Sequence, residues 1–119
     1  MKSPNLVILF TDDQRFDTIA ALGNPAVKTP NMDRLVAAGT SCTHAHIPGG
    51  IHPAVCMPSR AMLHTGRTLF HLQDAGKEIP ESHRLLGELL KSQGYQTWAT
   101  GKWHNGKSSF NRAFQDGDE

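Results

Sequence analysis

The chain has 119 residues, a formal charge of +1 and seven histidines. Near-zero charge without a basic cluster excludes a nucleic-acid footprint, and no apolar run approaches the roughly 18 residues that a membrane span needs. Leu, Ile, Val and Phe make up 25 of the 119 residues, just above the roughly 20% level below which chains tend to be disordered, so a thin globular core is expected. The length allows one domain at most.

Asn5 to Thr11 (NLVILFT) is a continuous apolar run bounded by Pro4 and by Asp12-Asp13. It predicts a strand buried on both faces, as in parallel sheets. The run is too short and wrongly flanked for an export signal. Reduced thiols at Cys42 and Cys56 and a cytoplasmic location are therefore the default expectation. Thr29-Pro30 opens a helix, with Thr29 as N-cap and Pro30 in the first position. Met32, Leu35 and Val36 supply its apolar face, and Gly39 ends it. Thr40 to Ile47 (TSCTHAHI) reads as a weaker strand, and Pro48 to Pro53 as a turn-rich loop.

A short helix is predicted from Pro58 to His64, closed by Gly66. Another is predicted from Ser82 to Gln93, with Leu85, Leu86, Leu89 and Leu90 on its core side and Gly94 as its stop. Tyr95 to Thr100 is a third strand candidate. After Trp103 nothing reads as a structural element, and from Lys107 the chain is polar. Strand, helix, strand, helix, helix, strand predicts an α/β fold with parallel strands. Three strands bury only a small core. The chain is then either a small α/β domain with a loose tail or the N-terminal piece of something larger.

Three segments carry chemistry. Asp12 and Asp13 follow the first strand, and paired carboxylates suit a hard divalent cation such as calcium or magnesium; as a bare pair they also fit a solvated turn. Cys56-Met57-Pro58-Ser59-Arg60 places Cys56 at a helix N-terminus, where amides and dipole favour an anion. Arg60, one turn on, can present a planar fork to a sulfate or phosphate oxyanion. The same residues also fit an ordinary helix start with a buried structural cysteine. Lys102 and His104 follow the third strand in Gly101-Lys102-Trp103-His104-Asn105-Gly106, and at spacing i, i+2 they face one side of an extended segment. In a parallel sheet such segments meet at the carboxyl edge, where open α/β sheets bind ligands.

The other histidines carry weaker signals. Cys42, His44 and His46 would share a face of the second strand, but a closed zinc site draws its ligands from separated pairs. His52 is placed to line the Cys56 site. His64, His71 and His83 are expected to face solvent or to pack within the fold.

The motifs together resemble those of the formylglycine-dependent sulfatases of the alkaline phosphatase superfamily. Val55 to Arg67 (VCMPSRAMLHTGR) is similar to their Cys-x-Pro-Ser-Arg signature with its following Thr-Gly. Pro4 to Asp13 resembles their first strand and metal pair, Thr29 to Leu35 (TPNMDRL) their "TPNLDRL" helix, and Gly94 to His104 their "GY…TGKWH" segment. The four motifs fall in the family's order and span almost the whole chain.

The resemblance implies an alkaline-phosphatase-like, mostly parallel sheet with flanking helices, of which residues 1–119 would be the incomplete N-terminal part of the catalytic domain. It also implies conversion of Cys56 to Cα-formylglycine by a maturation enzyme that acts on the unfolded chain. One hydroxyl of the hydrated aldehyde would attack the sulfur of a sulfate ester as the alcohol leaves, and the second would later lose a proton, expel sulfate and restore the aldehyde. Asp12, Asp13 and the modified Cys56 would hold calcium, or magnesium; Arg60 would steady the diol. Lys102 would bind the diol and a sulfate oxygen, and His104 would assist elimination. Glycan, aryl and small alkyl sulfates are the implied substrates, with neither nucleic acid nor membrane as partner. Family members draw a second Asp/Asn metal pair, a second lysine and a second histidine from later in the chain, so residues 1–119 alone are expected to be inactive. Two other readings stand beside this one: a phosphonate or phosphate monoester hydrolase of the same superfamily, and a non-catalytic metal- or oxyanion-binding piece.

Overall fold

The computed structural model describes residues 3–50 and 55–118, with Ala75 described by its backbone alone. The chain forms two compact units, Met1–His46 and Ile47–Glu119.

In the first unit, helix α1 spans Pro30–Ala38. Thr29 and Asp33 build its start together. The Thr29 hydroxyl donates to Asp33 Oδ1 at 2.8 Å and accepts from the Ala20 amide at 2.8 Å, while Asp33 Oδ1 also accepts from the Ala21 amide at 3.0 Å. These bonds dock the 3-10 turn Ala20–Leu22 on the helix N-terminus and occupy amides that would otherwise lack acceptors.

The strand expected over Asn5 to Thr11 does not form. The backbone is irregular from Ser3 to Thr11, and Leu6 to Phe10 are 43–79% exposed. Composition makes this run suitable for a doubly buried strand, but a strand exists only where a neighbouring ladder pairs with it. No such ladder occurs among the described residues of this unit. The strand expected over Thr40 to Ile47 is also absent: the backbone turns at Thr43 and His44, and Cys42, His44 and His46 are exposed rather than aligned on one face.

In the second unit, helix α2 spans Cys56–Thr65 and ends at Gly66, whose φ of +65° lets its amide return to the Met62 carbonyl at 2.9 Å. Helix α3 spans Leu86–Ser92, strand β1 Trp98–Thr100, helix α4 Lys107–Ala113 and strand β2 Asp116–Asp118. β1 and β2 pair in parallel, Ala99 opposite Gly117, so β1, α4 and β2 form a β-α-β unit. A Cβ at Gly117 would lie 1.8 Å from the Ala99 carbonyl oxygen, which makes this register specific to glycine. The tail expected to be structureless thus supplies both a strand of the sheet and a helix that packs against α3. Phe110, Ala113 and Phe114 give α4 an i, i+3, i+4 apolar face despite its polar surroundings.

The core gathers Ala61, Ile79, Leu85, Trp103, Phe110 and Ala113. Its aromatic part is edge-to-face, with Trp103 centroids 5.8 Å from Phe110 and 5.6 Å from Phe114. α3 begins four residues later than expected from Ser82. Arg112 takes the carbonyls of Ile79 (3.2 Å), Pro80 (3.2 Å) and His83 (2.8 Å), holding that stretch outside the helix. Glu88 Oε2 accepts from the Leu85 amide at 2.8 Å and fixes the start there. Burial would raise the Glu88 carboxyl, but the bonds from Arg112 and Leu85 outweigh it and hold it below the usual range. The leucine stripe is core only in part: Leu85 is fully buried, Leu89 is exposed, and the buried residue within α3 is Gly87. Among the described residues, no helix is long and apolar enough to cross a membrane.

Candidate active site

Cys56 opens α2, and its first turn carries amides that helix geometry leaves without intrahelical acceptors. Pro58 fits that turn because it has no N–H to satisfy. Cys56 is a free thiol, 9% exposed, so it belongs to the packed interior rather than to an open helix start. Cys42 is free as well.

The loop after β1 faces this helix start. Gly101, His104 and Gly106 have φ of +95°, +73° and +84°, which coil the loop tightly. For His104 the left-handed conformation costs on the order of 1–2 kcal/mol, so surrounding contacts must impose it. Trp103 is buried between exposed Lys102 and His104, but the left-handed φ at Gly101 and His104 makes this a coiled loop rather than the extended segment expected. Trp103 anchors the loop by donating from Nε1 to the Gly106 carbonyl (3.0 Å) and the Ser109 hydroxyl (2.9 Å).

Side chains from the two segments then meet. Cys56 Sγ lies 3.4 Å from His104 Nδ1, although the residues are 48 apart in sequence. Arg60, 7% exposed, donates from Nη1 to the Lys102 carbonyl at 2.6 Å. Asn105, fully buried, donates from Nδ2 to the Met57 carbonyl at 2.9 Å and to the Gly76 carbonyl at 2.5 Å. The sequence offers a single local signal for Asn105, a polar residue two positions after the Trp103 anchor.

The structure therefore brings Cys56, Arg60, His104 and the Lys102 backbone together in the second unit. Asp12 and Asp13 lie in the first unit, both exposed, in a bend where Asp13 has φ of +50°. Among the described residues, no group of three or more His, Cys, Asp or Glu side chains is placed to hold a metal ion. Two adjacent carboxylates are hard oxygen donors, so the pair fits calcium or magnesium as part of a shell of six or more ligands. His52 lies outside the described residues. His71 is exposed, with its Nδ1 2.9 Å from the Thr68 hydroxyl. His83 is buried, and burial, then Arg67 and Arg112, lowers its pKa. The His64 ring lies 4.5 Å from that of Trp103, tilted by 51°, and burial, reinforced by Arg60, lowers its pKa to about 4.

A helix N-terminus bearing a thiol, with an arginine and a histidine fixed beside it at the carboxyl end of a parallel strand, is an arrangement compatible with an anionic oxygen. The comparisons with known proteins agree with that class. The sulfatase family model matches residues 4–117, and the chain belongs to the sulfatase family. It is similar to human arylsulfatase A, 35% identical over 113 residues, covering 88% of this chain and 22% of that protein. It is likewise similar to bovine arylsulfatase A (34% over 111 residues; 87% and 21%) and human N-acetylgalactosamine-6-sulfatase (36% over 118 residues; 87% and 22%). The chain thus spans about a fifth of the length of these curated relatives. No solved structure matches it significantly.

Proposed function

We propose that this chain forms part of the catalytic domain of a sulfate-ester hydrolase, with residue 56 as the nucleophile once its thiol has become Cα-formylglycine. The observation that carries the reading is the 3.4 Å approach of Cys56 Sγ to His104 Nδ1, between two separate motifs of a sulfatase-family chain. In the hydrated aldehyde one hydroxyl would take the sulfuryl group as the ester S–O bond breaks and the alcohol leaves, and loss of the second hydroxyl's proton would re-form the aldehyde as sulfate departs, a release that a thiol cannot provide.

The chain's own residues then have separable tasks. The first-turn amides of α2 offer partial positive charge to an anionic oxygen at position 56. Arg60, tied to the Lys102 carbonyl, keeps a permanent charge beside that turn. The Lys102 ammonium would offer a compact positive charge to a sulfate oxygen. His104 Nδ1 is within reach of the side-chain heteroatom at position 56 and can hold or accept its proton. Asp12 and Asp13 would contribute to a calcium or magnesium site that polarises the sulfate.

The test uses the intact protein made in a host that has the maturation enzyme. Mass spectrometry of the peptide containing Cys56 should show an aldehyde or its hydrate in place of the thiol. Cys56→Ala should abolish sulfate-ester turnover, and Lys102→Ala and His104→Ala should each lower kcat by about 100-fold or more. A fully active enzyme with an unmodified Cys56 thiol would overturn the mechanism.

A further inference from the structure

We infer that Asn105 is a positioning residue whose side-chain amide latches the loop of residues 101–106 onto the start of α2 and thereby sets His104 against residue 56. Four observations support this. Asn105 is fully buried, yet it sits in a loop directly beside an exposed histidine. Its Nδ2 reaches two carbonyls that belong to different segments: Met57, the neighbour of Cys56 in α2, and Gly76, at the end of the 3-10 turn Gln73–Gly76. Both partners are acceptors, so the amide orientation is fixed, with NH2 toward them.

Gly76 can present its carbonyl there because it lies directly on α2: a Cβ on it would be 2.6 Å from the Ala61 Cβ. The third observation is that Asn105 Oδ1 is buried without a hydrogen-bond partner among the described residues. The amide is therefore held by its two donor bonds alone, bonds that an apolar side chain of the same size could not make. The fourth is the arrangement around His104. Arg60 ties α2 to the Lys102 carbonyl on one side, and Asn105 ties the loop to the Met57 carbonyl on the other. His104, in its left-handed conformation at φ +73°, is bracketed between these two ties. Its 3.4 Å approach to Cys56 is the consequence.

The consequence for turnover rests on the sulfatase reading; the positioning itself does not. The experiment therefore has two arms, each on the intact protein with Asn105→Leu, which removes the donors, and Asn105→Asp, which keeps the shape and replaces the amide donor by a carboxylate. In protein from a host without the maturation activity, iodoacetamide alkylation of Cys56 is followed by mass spectrometry of its peptide. Both variants should expose the thiol and raise its rate by about 10-fold or more under native conditions. Gly87→Ala, which destabilises the fold away from the loop, should raise the rate only as far as its loss of global stability requires. In protein from a competent host, both variants should lower kcat by roughly 10–100-fold with KM within about 3-fold, the signature of a displaced catalytic group.

Wild-type protection of Cys56 in both Asn105 variants would overturn the inference, as would protection lost only in step with melting temperature. A sulfate-ester hydrolase whose kcat is untouched in both variants would also overturn it and leave the sulfatase reading intact. If the wild-type protein hydrolyses no sulfate ester, that reading falls, and the alkylation arm alone decides the role of Asn105.

Discussion

Replacing Gly87 by alanine tests how α3 and α4 are held together. An ideal Cβ at this position lies 2.1 Å from the Ala113 carbonyl oxygen and 2.8 Å from its carbon, against 3.4 Å or more for an ordinary contact. The obstacle is backbone, so the helices must separate by more than an ångström. Ala113 cannot move alone. Its carbonyl accepts the buried Thr97 hydroxyl at 3.0 Å, and two residues on the Gln115 amide donates to the Thr97 carbonyl at 2.9 Å. Overpacking of this kind costs about 1–3 kcal/mol and a strained buried hydrogen bond about 1 kcal/mol more, while alanine returns about 1 kcal/mol of helix propensity. The net expectation is a loss of roughly 1–3 kcal/mol, read as a lower melting temperature and a lower denaturant midpoint in the intact protein. Gly94→Ala is the comparison: nothing lies within 4 Å of its Cβ, but φ is +83°, so backbone strain of about 1–2 kcal/mol is the whole effect. Only Gly87→Ala should also weaken protection of the Thr97 and Gln115 amides in hydrogen exchange. A Gly87→Ala protein that melts at or above the wild-type temperature, with those amides still protected, would refute the close-crossing argument.

Two further outcomes follow from charge. His64 titrates at about 4 when folded and near 6.5 when unfolded, so below 6.5 the unfolded chain takes up a proton that the folded chain refuses. Stability present above pH 6.5 is therefore lost as pH falls toward 4; the full gap corresponds to about 3 kcal/mol, reduced by partial exposure to roughly 1–2 kcal/mol. Melting temperatures between pH 4 and 7 should lose that part of their slope in His64→Gln; an unchanged slope refutes the assignment. Asp12→Ala in the intact enzyme should lower calcium affinity, measured by titration calorimetry, and remove turnover; wild-type turnover of that variant in a strong chelator would remove the aspartate pair from the site.

Local signals in the sequence were sufficient for three elements. Thr29-Pro30 and Gly39 bracket α1, Gly66 closes α2 through its left-handed conformation, and the segment from Tyr95 to Thr100 contains β1. Gly66 acts as a left-handed cap, whereas Thr29 and Gly39 mark the ends of α1 without the capping bonds expected of them: the Thr29 hydroxyl goes to Asp33 and the Ala20 amide, and Gly39 is extended. The motifs around Cys56 and from Gly101 to His104 were legible from local sequence as well, and they led to the family.

Tertiary structure decided the rest. α3 starts at Leu86 because Arg112, 24 residues beyond Glu88, takes the His83 carbonyl that a start at Ser82 would give to the Gly87 amide, and Glu88 takes the Leu85 amide. α4 and β2 exist because three aromatic rings and a parallel register with β1 give a polar stretch somewhere to pack. The apolar run from Leu6 to Phe10 shows the converse: composition makes it suitable for a strand, but only a partner ladder makes it one. The meeting of Cys56 and His104 depends on hydrogen bonds between segments more than 40 residues apart, Arg60 to Lys102 and Asn105 to Met57. Periodicity, which reports only neighbours along the chain, carries no record of them.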